Sequence, residues 1–170
     1  KRMIPFKVQA DRKALQIAAF RNDFRTTRPY YDFIQAANWC VQNDYELEQA
    51  LAWMDRAIYF RVMGEKNFRS LSMKASVLMK MNKVDEAKKV MQEAIPFGTV
   101  TDVHYYGRTL LGMKQVDEAC KVWKANYEKF PNEFTTNVGM GRAYSAMGNY
   151  KKALGYMKAA LSQAPNDFNK

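Results

Sequence analysis

His104 is the only histidine of the 170-residue chain, so it is the one imidazole that could act as a general base or bind a metal ion. Either role needs a second reactive or ligating group close to the ring. The surrounding sequence TDVHYYGR offers only Asp102 and Tyr105. We therefore expect His104 to be a polar residue of a binding groove, without a catalytic or metal-binding role.

The other residues that could take part in catalysis or metal binding do not have the spacing that such sites require. Cys40 and Cys120 are too far apart for a zinc motif, and two cysteines make no disulfide framework. No phosphate-binding Gly loop or nucleophile elbow is present. Two pairs of adjacent acids begin predicted helices, where negative charge favours the helix dipole: Asp85 with Glu86, and Asp117 with Glu118. The sequence predicts a protein that is not an enzyme and uses neither a cofactor nor a metal ion.

Positive charge is concentrated at the start of the chain. The net charge is +10, and residues 1–29 hold eight basic and two acidic residues, a net charge of +6. Arginines alternate with aromatic residues in FRNDFRTTRPYYDF (20–33), a mixture that can stack on bases while neutralising phosphates. The same segment also fits a helix whose Phe20 and Phe24 share one packed face. Binding of nucleic acid or another anionic surface by residues 1–29 is therefore the alternative function.

The elements that would position these residues are indicated by a repeated dodecamer. KVDEAKKVMQEA (83–94) recurs as QVDEACKVWKAN (115–126), and weaker copies lie on either side. Four alanines fall in register, at spacings of 37, 32 and 34 residues: Ala50, Ala87, Ala119 and Ala153. A large residue follows each alanine four positions later: Met54, Met91, Trp123 and Met157. Other members of the pattern are Gly107, Gly141, Tyr144, Pro131 and Pro165.

A helical hairpin explains this pattern physically. Where two helices cross, their axes approach to about 8–10 Å, and only a small side chain fits at the crossing. We expect Ala119 to lie in the second helix of a pair, opposite Gly107 in the first. Pro131 ends the second helix, because proline cannot continue the hydrogen-bond ladder. One hairpin cannot bury its own apolar stripe, so successive hairpins must stack.

The pattern resembles the tetratricopeptide repeat, a helix–turn–helix unit of 34 residues. The unit 134–167 matches best, and Asn126 departs from the pattern in the unit 100–133. The resemblance implies an all-α, right-handed superhelix of about four helix pairs, preceded by one further helix. The predicted organisation is an N-terminal segment 1–29 and a repeat domain 30–167, with units 31–67, 68–99, 100–133 and 134–167. We predict helices at 10–24, 30–43, 46–63, 67–81, 84–95, 100–113, 116–129, 133–147 and 150–163.

A second resemblance covers YYDFIQAANWCVQNDYELEQALAWMDRAI and the following residues to Ala87. This stretch is similar to the helical part of a family of uncharacterised exported bacterial proteins in which a β domain precedes the repeats. It implies that MIPFKV (3–8) is the last strand of such a domain, and that the protein is exported. Without this resemblance, a cytoplasmic location is expected. We also expect the natural protein to continue on both sides, or a second copy to cover the last helix as a homodimer.

The tetratricopeptide resemblance implies a scaffold that binds a protein or peptide against the first helices of its pairs. Arginines along such a face suit an acidic peptide, or the chain's own N-terminal domain, because guanidinium groups bind carboxylates with two parallel hydrogen bonds. The predicted ligand-binding residues are Trp39, Arg69, Lys80, His104, Arg108 and Arg142. No apolar run in the sequence is long enough for a membrane span.

Overall fold

The computed structural model describes residues 11–23, 29–61 and 64–164, which form nine α-helices and one short 3-10 helix with no strand among them. The helices are α1 (Arg12–Asp23), α2 (Pro29–Asn43), α3 (Leu47–Tyr59), α4 (Phe68–Lys80), α5 (Val84–Ala94), α6 (Val100–Gly112), α7 (Val116–Lys129), α8 (Phe134–Ala146) and α9 (Tyr150–Gln163). The predicted all-α repeat fold is confirmed. The predicted strand 3–8 and Pro165 lie outside the described residues, and the domain boundary at residue 29 stays a prediction.

The chain divides into two compact units, Lys1–Pro96 and Phe97–Lys170. The first unit contains α1 and the pairs α2–α3 and α4–α5, and α4 packs on both helices of the pair before it. The second unit contains the pairs α6–α7 and α8–α9, and α8 packs in the same way on α6 and α7. Each unit thus repeats one packing arrangement, in which the first helix of a pair covers the preceding pair.

One turn geometry joins the two helices of every pair. A residue in the left-handed region follows the first helix: Asp44 (φ 50°), Asn82 (φ 61°), Lys114 (φ 61°) and Gly148 (φ 75°). The next N–H then donates to the carbonyl oxygen five residues earlier, at 2.8 to 3.1 Å in the four turns. Gly, Asn and Asp adopt this conformation most readily, so only Lys114 is an unfavoured residue type. These hydrogen bonds satisfy carbonyl groups at the helix end and fix where the second helix begins.

The four register alanines lie where the hairpin prediction requires. Each is in the second helix of its pair, and the exposed fractions are 0% for Ala50 and Ala119, 1% for Ala87 and 7% for Ala153. Seven residues later, the side chains are again buried in all four repeats: Ala57, Ala94, Asn126 and Ala160. The four register alanines are thus buried in second helices, as the hairpin interpretation requires, while Asn126 is a larger, polar residue at the second position.

Gly107 serves a different contact from the one expected. The atoms nearest to a Cβ built on Gly107 belong to the Trp123 indole, with Nε1 at 2.4 Å, and not to Ala119. Gly139 of α8 is also close to the same indole, since a Cβ there would lie 3.0 Å from Cδ1. The indole therefore lies between two glycines, and its Nε1 donates to the carbonyl oxygen of His104 at 3.1 Å.

Helix α3, the second helix of the first pair, is shorter than predicted. The sequence predicted a helix over 46–63, but α3 ends at Tyr59 and Phe60 is extended (φ −69°, ψ 119°). The backbone N–H of Gly64 then donates to the carbonyl oxygen of Phe60, and that of Glu65 to the carbonyl oxygen of Ala57. These bonds satisfy carbonyls that a longer helix would have used, so the extra residues of the 37-residue spacing lie in the connection to α4.

Helix α1 is attached to the first pair mainly by one aromatic residue. The Phe20 ring makes edge contacts with Trp39 at 5.9 Å and with Trp53 at 6.2 Å between centroids. Lys13 Nζ donates to the Asn43 carbonyl oxygen at 2.9 Å. Phe20, the one aromatic residue described in the segment 1–29, thus takes part in packing.

Candidate functional site

In the first unit, the predicted binding residues already have partners within the chain. Trp39 of α2 is covered on one side by the Phe20 ring. The Arg69 guanidinium lies 5.1 Å above the ring of Tyr31. Lys80 forms an ion pair with Asp44 at 3.7 Å, between two largely exposed side chains. Arg69 and Lys80 are thus each placed against another side chain of the chain, and Trp39 is partly covered by Phe20.

In the second unit, Arg108 and Arg142 occupy the same repeat position in α6 and α8. The two helices pack side by side, and both side chains are exposed. No carboxylate of the described residues lies within ion-pair distance of either guanidinium. The Arg108 guanidinium lies 5.5 Å from the ring centroid of Tyr105, an exposed aromatic residue that the sequence analysis did not select. We call the surface formed by Tyr105, Arg108 and Arg142 the α6–α8 face.

His104 lies beneath this face and not on it. Its side chain is only 8% exposed, and its ring is 6.0 Å from the Trp123 indole. Burial lowers the pKa of His104, and the positive charges of Arg142 and Arg108 lower it further, against an opposing hydrogen bond with the Thr135 backbone. The imidazole is therefore neutral near pH 7, and the charge of the face comes from the two arginines.

The position of His104 also shows why it makes a poor general base. Its Nδ1 is buried and has no hydrogen-bond partner in the described part of the chain. A Cβ on Gly139 would lie 3.4 Å from this nitrogen, so no substrate-sized space separates it from α8. The ring packs on Trp123.

The two cysteines lie in helices and behave as protonated thiols. Burial and, secondarily, the charge of Glu46 raise the pKa of Cys40 to about 11. Burial also raises the pKa of Cys120, whose Sγ lies 3.6 Å from the carbonyl oxygen of Ala143. A thiol with a raised pKa is a weak nucleophile and a weak metal ligand. Across residues 11–23, 29–61 and 64–164, no group of three or more His, Cys, Asp or Glu residues could hold a metal ion.

The alternative interface, the basic segment 1–29, is described only at residues 11–23 and at Pro29. Two of its basic side chains are used within the chain: Lys13 bonds to the Asn43 carbonyl, and the Arg21 guanidinium donates to Gln49 Oε1 at 3.0 Å. Only Arg12 remains among the described basic residues of this segment. The described contacts thus favour the packing interpretation of α1. None of the helices in the described residues has the length and apolar character that a membrane crossing requires.

Comparisons with known proteins find the same repeat architecture. Models of the tetratricopeptide repeat match residues 136–167 and residues 68–95. A crystal structure of MamA superposes with a TM-score of 0.58 at 16% identity, covering 98% of this chain and 100% of that chain. Another crystal structure of MamA superposes with a TM-score of 0.54 at 17% identity, covering 90% and 86%. At these identities the likeness concerns the fold alone. No curated protein sequence matches the chain significantly.

The chain has the fold of a tetratricopeptide-repeat array, with matches to models of the repeat at residues 68–95 and 136–167. Its helix pairs, register alanines and recurrent turns are those of this class of repeat protein. Such arrays present extended surfaces to other proteins and typically serve as interaction modules, not as enzymes. A role in protein–protein interaction or as a scaffold follows from the fold.

Proposed function

We propose that the α6–α8 face binds a carboxylate-bearing segment of a protein partner, and that the chain acts as a non-enzymatic scaffold. The observation that carries this proposal is the pair of arginines. Arg108 and Arg142 occupy the same repeat position on adjacent helices, and the positive charge of each lowers the pKa of the buried His104. Two guanidinium groups without a carboxylate partner in the described chain form a place where an acidic side chain or chain terminus gains charge-assisted hydrogen bonds.

The neighbouring residues favour a peptide over a small anion. The exposed Tyr105 ring beside Arg108 supplies an apolar surface of the kind that a peptide side chain can cover. The neutral imidazole below keeps the face from becoming a concentrated cationic patch. An extended acidic peptide therefore fits this face better than a nucleic acid, whose binding needs many phosphate contacts.

The test uses a fluorescein-labelled peptide that contains several glutamates, together with the same peptide carrying glutamine instead. We expect the glutamate peptide to bind more tightly, with an affinity that falls as salt is added. Arg108→Ala and Arg142→Ala should each weaken binding by about tenfold or more, because a hydrogen bond to a charged group contributes roughly 1.5–3 kcal/mol. Fluorescence anisotropy measures both effects.

The matched control is Arg56→Ala, which removes an exposed arginine from α3, outside the proposed face. This variant should bind the glutamate peptide as the parent does. If the affinity for the glutamate peptide is the same in Arg108→Ala, Arg142→Ala and the parent, the α6–α8 face is not the binding site.

A further inference from the structure

The last described helix, α9, carries a row of exposed apolar residues over which no later helix of the described residues packs. Tyr150, Leu154, Met157 and Leu161 of α9 recur at helical spacing along one side, and all four are exposed, by 37% for Met157 and by more than half for the others. We call these four residues the α9 stripe. Scattered exposed apolar residues are ordinary, but a contiguous row on one helix indicates an interaction surface.

The equivalent stripe is covered in the preceding pair of the same unit. Cys120 and Trp123 of α7 correspond in register to Leu154 and Met157 of α9. Cys120 Sγ lies 3.6 Å from the Ala143 carbonyl oxygen of α8, and the Trp123 indole lies against Gly139 of the same helix. Trp123 is consequently 1% exposed. The fold itself therefore shows what this kind of surface accepts, which is one helix laid along it.

The first unit shows the same arrangement independently. Met54 and Ile58 of α3 correspond to Met157 and Leu161, and they are 0% and 4% exposed under α4. Met157 packs against Gly141 of α8 as Trp123 packs against Gly107 of α6, but it remains 37% exposed, whereas Met54 and Trp123 are buried. The difference arises because no helix of the described residues takes the place of α4 or α8 on α9.

The charged residues of α9 indicate what kind of helix would bind the α9 stripe. The sequence of α9 contains Lys151, Lys152 and Lys158 and no acidic residue. Lys151 and Lys158 are two turns apart, so they lie on one side of the helix and border the stripe. The third, Lys152, is placed over the Tyr144 ring at 5.2 Å, away from the stripe. A partner that carries acidic residues along the edge of its apolar face would neutralise the two bordering lysines.

From these observations we propose that the α9 stripe binds an amphipathic helix of a partner protein whose apolar face is bordered by acidic residues. A second copy of the chain is a poorer occupant, because its α9 contains no acidic residue that could neutralise these lysines. The surface lies on the second helix of its pair, so it is distinct from the α6–α8 face. The two sites can be occupied or lost independently.

The test uses a labelled amphipathic peptide of about 20 residues, long enough to form a helix, with leucine and alanine on one face and glutamates bordering it. A matched peptide carries lysine in place of each glutamate. The glutamate peptide should bind about tenfold more tightly than the lysine peptide, because like charges oppose association. Leu154→Glu and Leu161→Glu should each weaken its binding at least about tenfold, since they place charge in the apolar contact.

Three controls make the result interpretable. Leu15→Glu changes an equally exposed leucine on α1 and should leave binding unchanged. The double variant Arg108→Ala with Arg142→Ala should also bind the helical peptide normally, which separates this site from the α6–α8 face. Replacing both Lys151 and Lys158 with alanine should remove the preference for the glutamate peptide.

Two outcomes would overturn the proposal. One is equal binding of the two peptides by the parent protein, or binding that survives Leu154→Glu. The other is sedimentation of the parent as a dimer that Leu154→Glu converts to a monomer, which would assign the stripe to a second copy. Far-UV circular dichroism of each variant verifies that these exposed substitutions leave the helices intact.

Discussion

Trp123→Ala is expected to lower the free energy of unfolding by about 3–5 kcal/mol, the usual range for removing a buried tryptophan. The indole is 1% exposed and contacts two other helices of the second unit, lying close to Gly107 of α6 and to Gly139 of α8. Its Nε1 also donates to the His104 carbonyl oxygen. Because the glycines have no side chain that could move into the space, the cavity left behind would persist.

Urea unfolding followed by far-UV circular dichroism measures this loss. Tyr150→Ala is a suitable comparison, since it removes an aromatic side chain that is 71% exposed in the same unit. That variant should stay within about 0.5 kcal/mol of the parent, as surface substitutions usually do. A loss below about 1 kcal/mol in Trp123→Ala would contradict the central position of the indole.

Gly107→Ala is the second substitution with a large expected effect. The informative result is whether it raises or lowers the free energy of unfolding. Replacing a glycine within a helix by alanine normally stabilises it by about 1 kcal/mol. At Gly107 the added Cβ would lie 2.4 Å from Trp123 Nε1 and 2.6 Å from Cε2. The indole cannot move away, because Gly139 of α8 lies close to its other side. We therefore expect a net loss of about 1–3 kcal/mol from overpacking.

Gly155→Ala, in the same unit, is expected to raise the stability instead of lowering it. Gly155 lies in the middle of α9, and a Cβ there would meet no atom within 4 Å. This substitution should raise the stability by up to about 1 kcal/mol through helix propensity alone. Combining Gly107→Ala with Trp123→Phe should cost less than the sum of the two single changes, because the smaller ring leaves room for the methyl group. Additive losses would show that the two side chains do not compete for space.

Much of the fold was predictable because it depends on local periodicity. The register alanines lie in the second helices as expected, and most helix ends fall within one or two residues of the prediction. The partner of Gly107 was not predictable. Sequence spacing places Ala119 and Trp123 on the same helix, one turn apart, and does not show that the Trp123 indole lies nearest to Gly107. The end of α3 likewise depends on backbone hydrogen bonds from Gly64 and Glu65 that no spacing rule contains.

The exposure of Arg108 and Arg142 was predictable from the sequence, but the surroundings of the candidate residues were not. Repeat register selected Arg108 and Arg142 correctly as exposed residues of adjacent first helices. The same register could not show that Arg69 lies over Tyr31 or that Lys80 pairs with Asp44, since these partners come from other helices. It also could not show that His104 lies below the surface, because its burial is produced by Trp123 and α8. The exposure of the α9 stripe was also not predictable, because its sequence pattern is the same as that of stripes that another helix covers.

The most direct test of the central claim, that small side chains allow the helices of each pair to nest, is the unfolding free energy of Ala119→Leu in urea. Ala119 is fully buried in α7, and Ala125 on the same helix is exposed, so Ala125→Leu is the matched substitution. Ala119→Leu should lose about 1–3 kcal/mol through overpacking, while Ala125→Leu should change stability by less than about 0.5 kcal/mol. Equal stability of the two variants would contradict the account.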